Sequence, residues 1–180
     1  MTDLSSKILA IDRGLSEAGI AHAFGGALAL AWCTQRARGT IDIDVNVFTG
    51  VDRVRDVFAA LPESVQWSDA DVERTQVDGQ VRLWWEETPI DVFLSTTQFH
   101  DQVATRTHLE WFAGSEVPFL SCTDLAVFKA FFNRTQDWAD LEAMAEAGTL
   151  DLDRLVGVLV RYLGAGDERI ERVRSLHRQS

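Results

Sequence analysis

The stretch RGTIDIDVNVF, Arg38 to Phe48, decides how the rest of the chain is read. It has the composition of a strand, yet Asp42 and Asp44 lie within a run of β-branched and apolar residues. Aspartate is depleted in strands, and a buried carboxylate without a partner is costly. Alternation resolves the packing: Asp42, Asp44 and Asn46 project to one side, and Ile41, Ile43, Val45 and Val47 project to the other, against a helical layer. PIDVFLS, residues 89–95, repeats the pattern, with Ile90, Val92 and Leu94 facing the core and Asp91 projecting with Phe93 from the opposite side. If the two strands are near neighbours, three carboxylates converge. Two unit charges about 4 Å apart repel by roughly 4 kcal/mol at an effective dielectric near 20. A cation between them relieves that repulsion, and oxygen-only ligation suits magnesium first and manganese second.

A half-exposed strand with its acids in solvent shows the same pattern, so two further features carry weight. Gly25 and Gly26 stand between a short apolar strand, AHAF at 21–24, and a helix over 27–35. Adjacent glycines allow close backbone approach, and the following helix offers free N–H groups to an anion such as a phosphate. The second feature is order: glycine turn, helix, basic loop with Arg36 and Arg38, then the acidic strand. This order sets the glycine turn beside the acids.

Outward from this centre, Leu4, Ile8, Ile11 and Leu15 predict an amphipathic helix over 4–17, capped by Thr2 or Asp3. A helix over 51–62 stops at Pro62, and strands are expected at 65–69, 81–86, 89–95 and 117–121. A tight turn near Thr88 and Pro89 joins two of them. From Cys122 the pattern becomes helical: one long helix or two to Gly148 with Thr123 as cap, a second over 151–164, and a third to the end. The fold class that follows is α+β, a small mixed sheet with helices on one face and a C-terminal helical part. We divide it into an α/β core, 1–121, and a helical region, 122–180.

Composition bounds the function. The 180 residues carry a formal net charge of −11, which argues against a generic nucleic-acid coat. Four arginines (169, 172, 174 and 178) gather in the tail, and the only lysines are Lys7 and Lys129. No apolar run reaches the length of a membrane span, and the N-terminus lacks a signal-peptide profile. Cys33 and Cys122, far apart in sequence, read as reduced thiols of a cytoplasmic protein. Trp32, Trp84, Trp85 and Trp111 read as core, with Trp84 the one that shares a face with Arg82 and Glu86. The four histidines show no metal-ligand or triad spacing.

AFGGALALAW (23–32), RGTIDIDVNVF, PIDVFLS and LSCTDLAVFKAFFNRTQDWADLEAM (120–144) together resemble the DNA polymerase β-type nucleotidyltransferase superfamily. Within it they look most like the AbiEii-like toxins of type IV toxin–antitoxin systems, which include the MenT group. The resemblance covers about residues 22 to 145. It implies that Gly25 and Gly26 hold nucleotide phosphates, and that Thr40, Asp42 and Asp44 form the metal motif with Asp91 as third carboxylate. It implies a functional lysine at Lys129, and Arg134 and Asp137 as the ends of an Arg-x-Lys-Asp-like motif, with Asp140 one turn on. Gln136 departs from that motif, which has lysine there, and leaves one cation fewer. Read as one helix over 123–145, Lys129, Gln136 or Asp137, and Asp140 share a side.

The activity so implied is transfer of a nucleotide from an NTP to an acceptor hydroxyl, with pyrophosphate leaving and two magnesium ions, or manganese, held by the acids. Arg38 and Lys129 would offset triphosphate charge. For the toxin group the acceptor is the tRNA 3′ end and the partner a cognate antitoxin from a neighbouring gene. A small aminoglycoside-type acceptor fits an acidic protein better electrostatically. A protein acceptor, or a non-catalytic nucleotide-binding regulatory module of the same fold, are the other readings.

Overall fold

The structure is a computed structural model that describes residues 2–36 and 39–176. The chain forms two compact units. One gathers the residues up to Leu28 with Gly39–Leu120, and the second joins the stretch that begins at Ala29 to the chain from Ser121 onward.

In chain order the elements of the first unit are α1 (Leu4–Glu17), β1 (His22–Phe24), α2 (Gly26–Thr34), β2 (Ile43–Gly50), a 3-10 turn (Val51–Arg53), α3 (Val54–Ala60), β3 (Val65–Gln66), α4 (Asp69–Asp78), β4 (Gln80–Trp85), β5 (Thr88–Ser95), α5 (Gln98–Ala104), β6 (His108–Phe112) and β7 (Ser115–Phe119). α2 begins in this unit and ends in the other. The seven strands make one mixed sheet in the order β3-β4-β5-β2-β1-β7-β6. β2 runs parallel to β5 and antiparallel to β1, and β4 runs antiparallel to β5.

Asp3 caps α1 by accepting from the Ser6 amide, and Ile8, Ile11 and Leu15 are buried as their spacing requires. α1 packs on β1 and β7 and against α3, while α5 lies on β2 and β5. Ile43, Val45, Val47, Ile90, Val92 and Leu94 are all buried in the resulting core. Ile41 departs from the expected alternation and is 69% exposed. β2 begins only at Ile43, so the alternation has no sheet to refer to before it.

Three elements escaped the sequence. α4 falls where strand 65–69 was expected to end. Its Ser68–Asp71 capping box and its left-handed Gly79 end are explicit helix signals, but only Val72 and Thr75 are buried, so periodicity is faint. α5 buries only Phe99 and Val103, and β6 leaves Leu109 and Trp111 exposed.

Lys7 is unlike most lysines, which are exposed. It is buried on α1 and donates to the Trp85 carbonyl, Glu86 Oε2 and Thr88 Oγ1, each at 3.0 Å. These three bonds pin the β4–β5 turn. That turn is Glu86–Glu87, two residues earlier than expected, with Glu86 at φ 54°.

The second unit contains α6 (Cys122–Phe132), α7 (Thr135–Glu146), α8 (Leu152–Leu163) and α9 (Glu168–Leu176). Ser121, not Thr123, caps α6. Asn133 ends it in the left-handed conformation, so of the two readings, one helix or two, the second holds. Trp138, Leu141, Met144, Leu155, Leu159, Ile170 and Val173 form its core.

The two cysteines correct the sequence reading most sharply. Cys33 and Cys122 are not reduced thiols but a disulfide within this unit, with Cα atoms 5.6 Å apart. The last turn of α2 meets the first turn of α6 there, across 89 positions of sequence, a proximity no spacing rule could register. The cysteines therefore do not argue for a reducing compartment. No helix among the described residues is long and apolar enough to cross a membrane.

Candidate active site

Strand register builds the site. In the parallel β2–β5 pair Asp44 stands opposite Asp91, and in the antiparallel β4–β5 pair Asp91 stands opposite Arg82. Asp44, Asp91 and Arg82 therefore form one row across three adjacent strands, with side chains on one face. Asp42 lies just before β2. Its side chain is 39% exposed, against 20% for Asp91.

The glycine turn meets this row at Asp44. Gly25 donates its amide to the Asp44 carbonyl at 2.9 Å. Gly26 has φ +52°, and a Cβ built on it would collide with the Asp44 carboxylate. Both properties call for glycine: the left-handed backbone and the contact with a side-chain oxygen. The predicted neighbourhood of glycine turn and acidic strand is thus present. Thr40 braces the approach: its hydroxyl accepts from the Asp42 amide at 3.1 Å, so it orients the backbone rather than the carboxylate.

Arg82 is the site residue the sequence reading passed over. Its Nε donates to Asp91 Oδ1 at 2.8 Å and its Nη2 to Asp91 Oδ2 at 2.7 Å, a bidentate pair. Nη2 also lies 3.6 Å from Asp42 Oδ2. The guanidinium is held in its charged form well above its ordinary range, chiefly by the hydrogen bonds to Asp91 and further by the charges of Asp91, Asp42 and Asp44, against the opposing effect of burial. The signal was available: a two-residue turn at Glu86–Glu87 sets Arg82 opposite Asp91, whereas a turn at Thr88–Pro89 sets Glu86 there. Trp84 follows on the same face and is 46% exposed, as its parity with Arg82 predicted. Of the other tryptophans assigned to the core, Trp85 is buried, while Trp32 and Trp111 are exposed.

The candidate residues of the helical unit form a different cluster. Lys129 donates to Asp140 Oδ2 at 2.7 Å and lies 3.7 Å from Asp137 Oδ1. Gln136 donates to Asp140 Oδ1 at 3.0 Å. Arg134 gives Asp137 its backbone amide at 3.2 Å and its guanidinium Nε at 2.7 Å. Lys129, Asp137 and Asp140 are all buried. Lys129 was expected on one helix with the acids, but it reaches from α6 across to α7. Arg38 lies outside the described residues, and Arg36 is exposed.

Among the described residues, no three His, Cys, Asp or Glu side chains gather as a metal-holding group. The donor chemistry of Asp42 and Asp44 nonetheless suits a hard divalent ion. A cation, the Arg82 guanidinium, already lies among these acids, so the row attracts positive charge.

Solved structures place this fold. The chain resembles the antibiotic-resistance factor ANT(2'')-Ia in solution, with a TM-score of 0.56 and 17% identity over 97% of this chain and 91% of that one. It resembles ANT(2'')-Ia crystallised with adenylyl-2''-tobramycin to a similar degree, TM-score 0.55 and 16% identity over 99% and 98%. No protein-family profile matches the chain, nor does any curated protein. These neighbours show that the chain has a mixed α/β fold like that of nucleotidyltransferases, and they do not single out the toxin group.

Proposed function

We propose that the protein is a nucleotidyltransferase that moves a nucleotide from an NTP to an acceptor hydroxyl. One observation carries this reading: the left-handed glycine turn is built against Asp44, which stands in register with Asp91. A fold-only role does not require a left-handed glycine turn held against an acid of this row. In this reading Gly25, Gly26 and the amides at the start of α2 bind the β- and γ-phosphates. Asp42 and Asp44 hold a divalent cation, magnesium or manganese, which when bound neutralises phosphate charge and orients the attacking oxygen. Thr40 keeps Asp42 in place. The acceptor oxygen forms a bond to the α-phosphorus, the bond to the pyrophosphate oxygen breaks, and the hydroxyl proton passes to a carboxylate of the row.

For the acceptor we favour a small, polycationic, hydroxylated molecule of the aminoglycoside type. The net charge of −11 attracts such a molecule and disfavours a long polyanion such as tRNA. The fold neighbour crystallised with adenylyl-2''-tobramycin supports the same choice. The motif resemblance of RGTIDIDVNVF carries a second reading, a toxin that modifies the tRNA 3′ end and is paired with an antitoxin. The described tail arginines weigh against it: Arg169 is bonded to Asp167, Arg174 to Glu171, and Arg172 stacks on Trp138 at 4.1 Å.

The test is incubation with each α-labelled NTP, magnesium, an aminoglycoside panel and total tRNA. Label on an aminoglycoside supports the first reading and label on tRNA the second. Asp42→Asn and Asp44→Asn should each lower transfer at least about 100-fold, the low end of what loss of a positioned acid–base group costs. No label on any acceptor refutes both readings.

A further inference from the structure

We propose that Arg82 takes the place of a second metal ion at this site, so that the protein works with one divalent cation where the two-metal scheme expects two. The inference rests on the nucleotidyltransferase reading above and concerns the charge arrangement within it. Asp91 is the acid that would complete a second cation site, and both of its oxygens already accept from the Arg82 guanidinium, at 2.8 and 2.7 Å. The arrangement is imposed by backbone register rather than by a chance side-chain rotamer. Arg82 and Asp91 are directly opposed on β4 and β5, and Asp91 and Asp44 on β5 and β2. Lys7, from α1, pins the turn that sets this register.

Charge leads to the same conclusion. Arg82 places one positive charge beside Asp91 and Asp42, where a second cation would otherwise sit. Arginine suits such a post because it stays protonated and its planar fork matches a carboxylate, which a lysine does not. A metal ion approaching Asp91 would compete with both hydrogen bonds and sit beside a fixed positive charge. Arg82 is thus a positioning residue: Asp91 aims it, and its charge lies between Asp91 and Asp42, on the face where the phosphates would arrive.

The experiment is to count bound Mn2+ by electron paramagnetic resonance, in the full-length protein saturated with a non-hydrolysable NTP analogue. Wild type should bind one Mn2+ per chain, and Arg82→Met should bind a second with at least about tenfold higher affinity than wild type does. Arg82→Gln provides the same comparison if the methionine variant does not fold, as judged by circular dichroism. Two Mn2+ in wild type, or one in both proteins, overturns the role of Arg82 and leaves the nucleotidyltransferase reading standing. No Mn2+ in wild type, with no change on Asp44→Asn, overturns that parent reading as well.

Discussion

The chain holds two groups of aspartates with nearly the same neighbours and opposite surroundings. On the sheet, Asp42 and Asp91 share one arginine and remain 39% and 20% exposed. In the helical unit, Asp137 and Asp140 share Lys129 and are 2% and 8% exposed. With Asp44 the sheet acids outnumber their cation; Asp44 and Asp91 stand in register, and Asp44 touches a backbone turn that only glycine can make. The helical acids are matched by Lys129 and Arg134, and further satisfied by Gln136 and a backbone amide. Surplus exposed charge beside bare backbone suits a ligand. Balanced buried charge suits architecture, and Gln136, where the resembled motif has lysine, serves it by filling a hydrogen-bonding position on Asp140.

That contrast predicts an order of effects. Lys129→Ala should cost the most, about 3–5 kcal/mol in denaturant unfolding, because it leaves the buried Asp140 carboxylate without its cation. A loss below about 1 kcal/mol would return Lys129 to the candidate site. Pairing it with Asp140→Leu should recover part of the loss, since removing both charges is cheaper than removing one. Reducing the Cys33–Cys122 bond should come next, lowering stability by about 2–4 kcal/mol in melts with and without reductant. Gly26→Ala should cost about 1–3 kcal/mol, because its φ of +52° disfavours a side chain, and should also abolish nucleotide binding by displacing the Asp44 carboxylate. Asp42→Asn should change stability least, within about 0.5 kcal/mol, while removing activity. A large stability loss there would erase the distinction between the two groups.

The legible parts were those with strong local signals. The amphipathic α1 and its Asp3 cap, the acids of β2 and β5, and the glycine turn all follow from alternation, helical period or backbone freedom. α4 was lost because a mostly polar helix leaves little period to detect. Arg82 was lost because a turn displaced by two residues keeps every side chain on its face yet changes its partner.

By itself, then, the sequence determined which side chains face which way and which backbone positions need glycine, since period and conformational freedom are local properties. Only the tertiary structure decided who is paired with whom. The Cys33–Cys122 bond, the reach of Lys129 to Asp140, the hold of Lys7 on the β4–β5 turn and the grip of Arg82 on Asp91 each depend on a distance between elements. Such a distance is set by packing and register, which no single stretch of chain encodes.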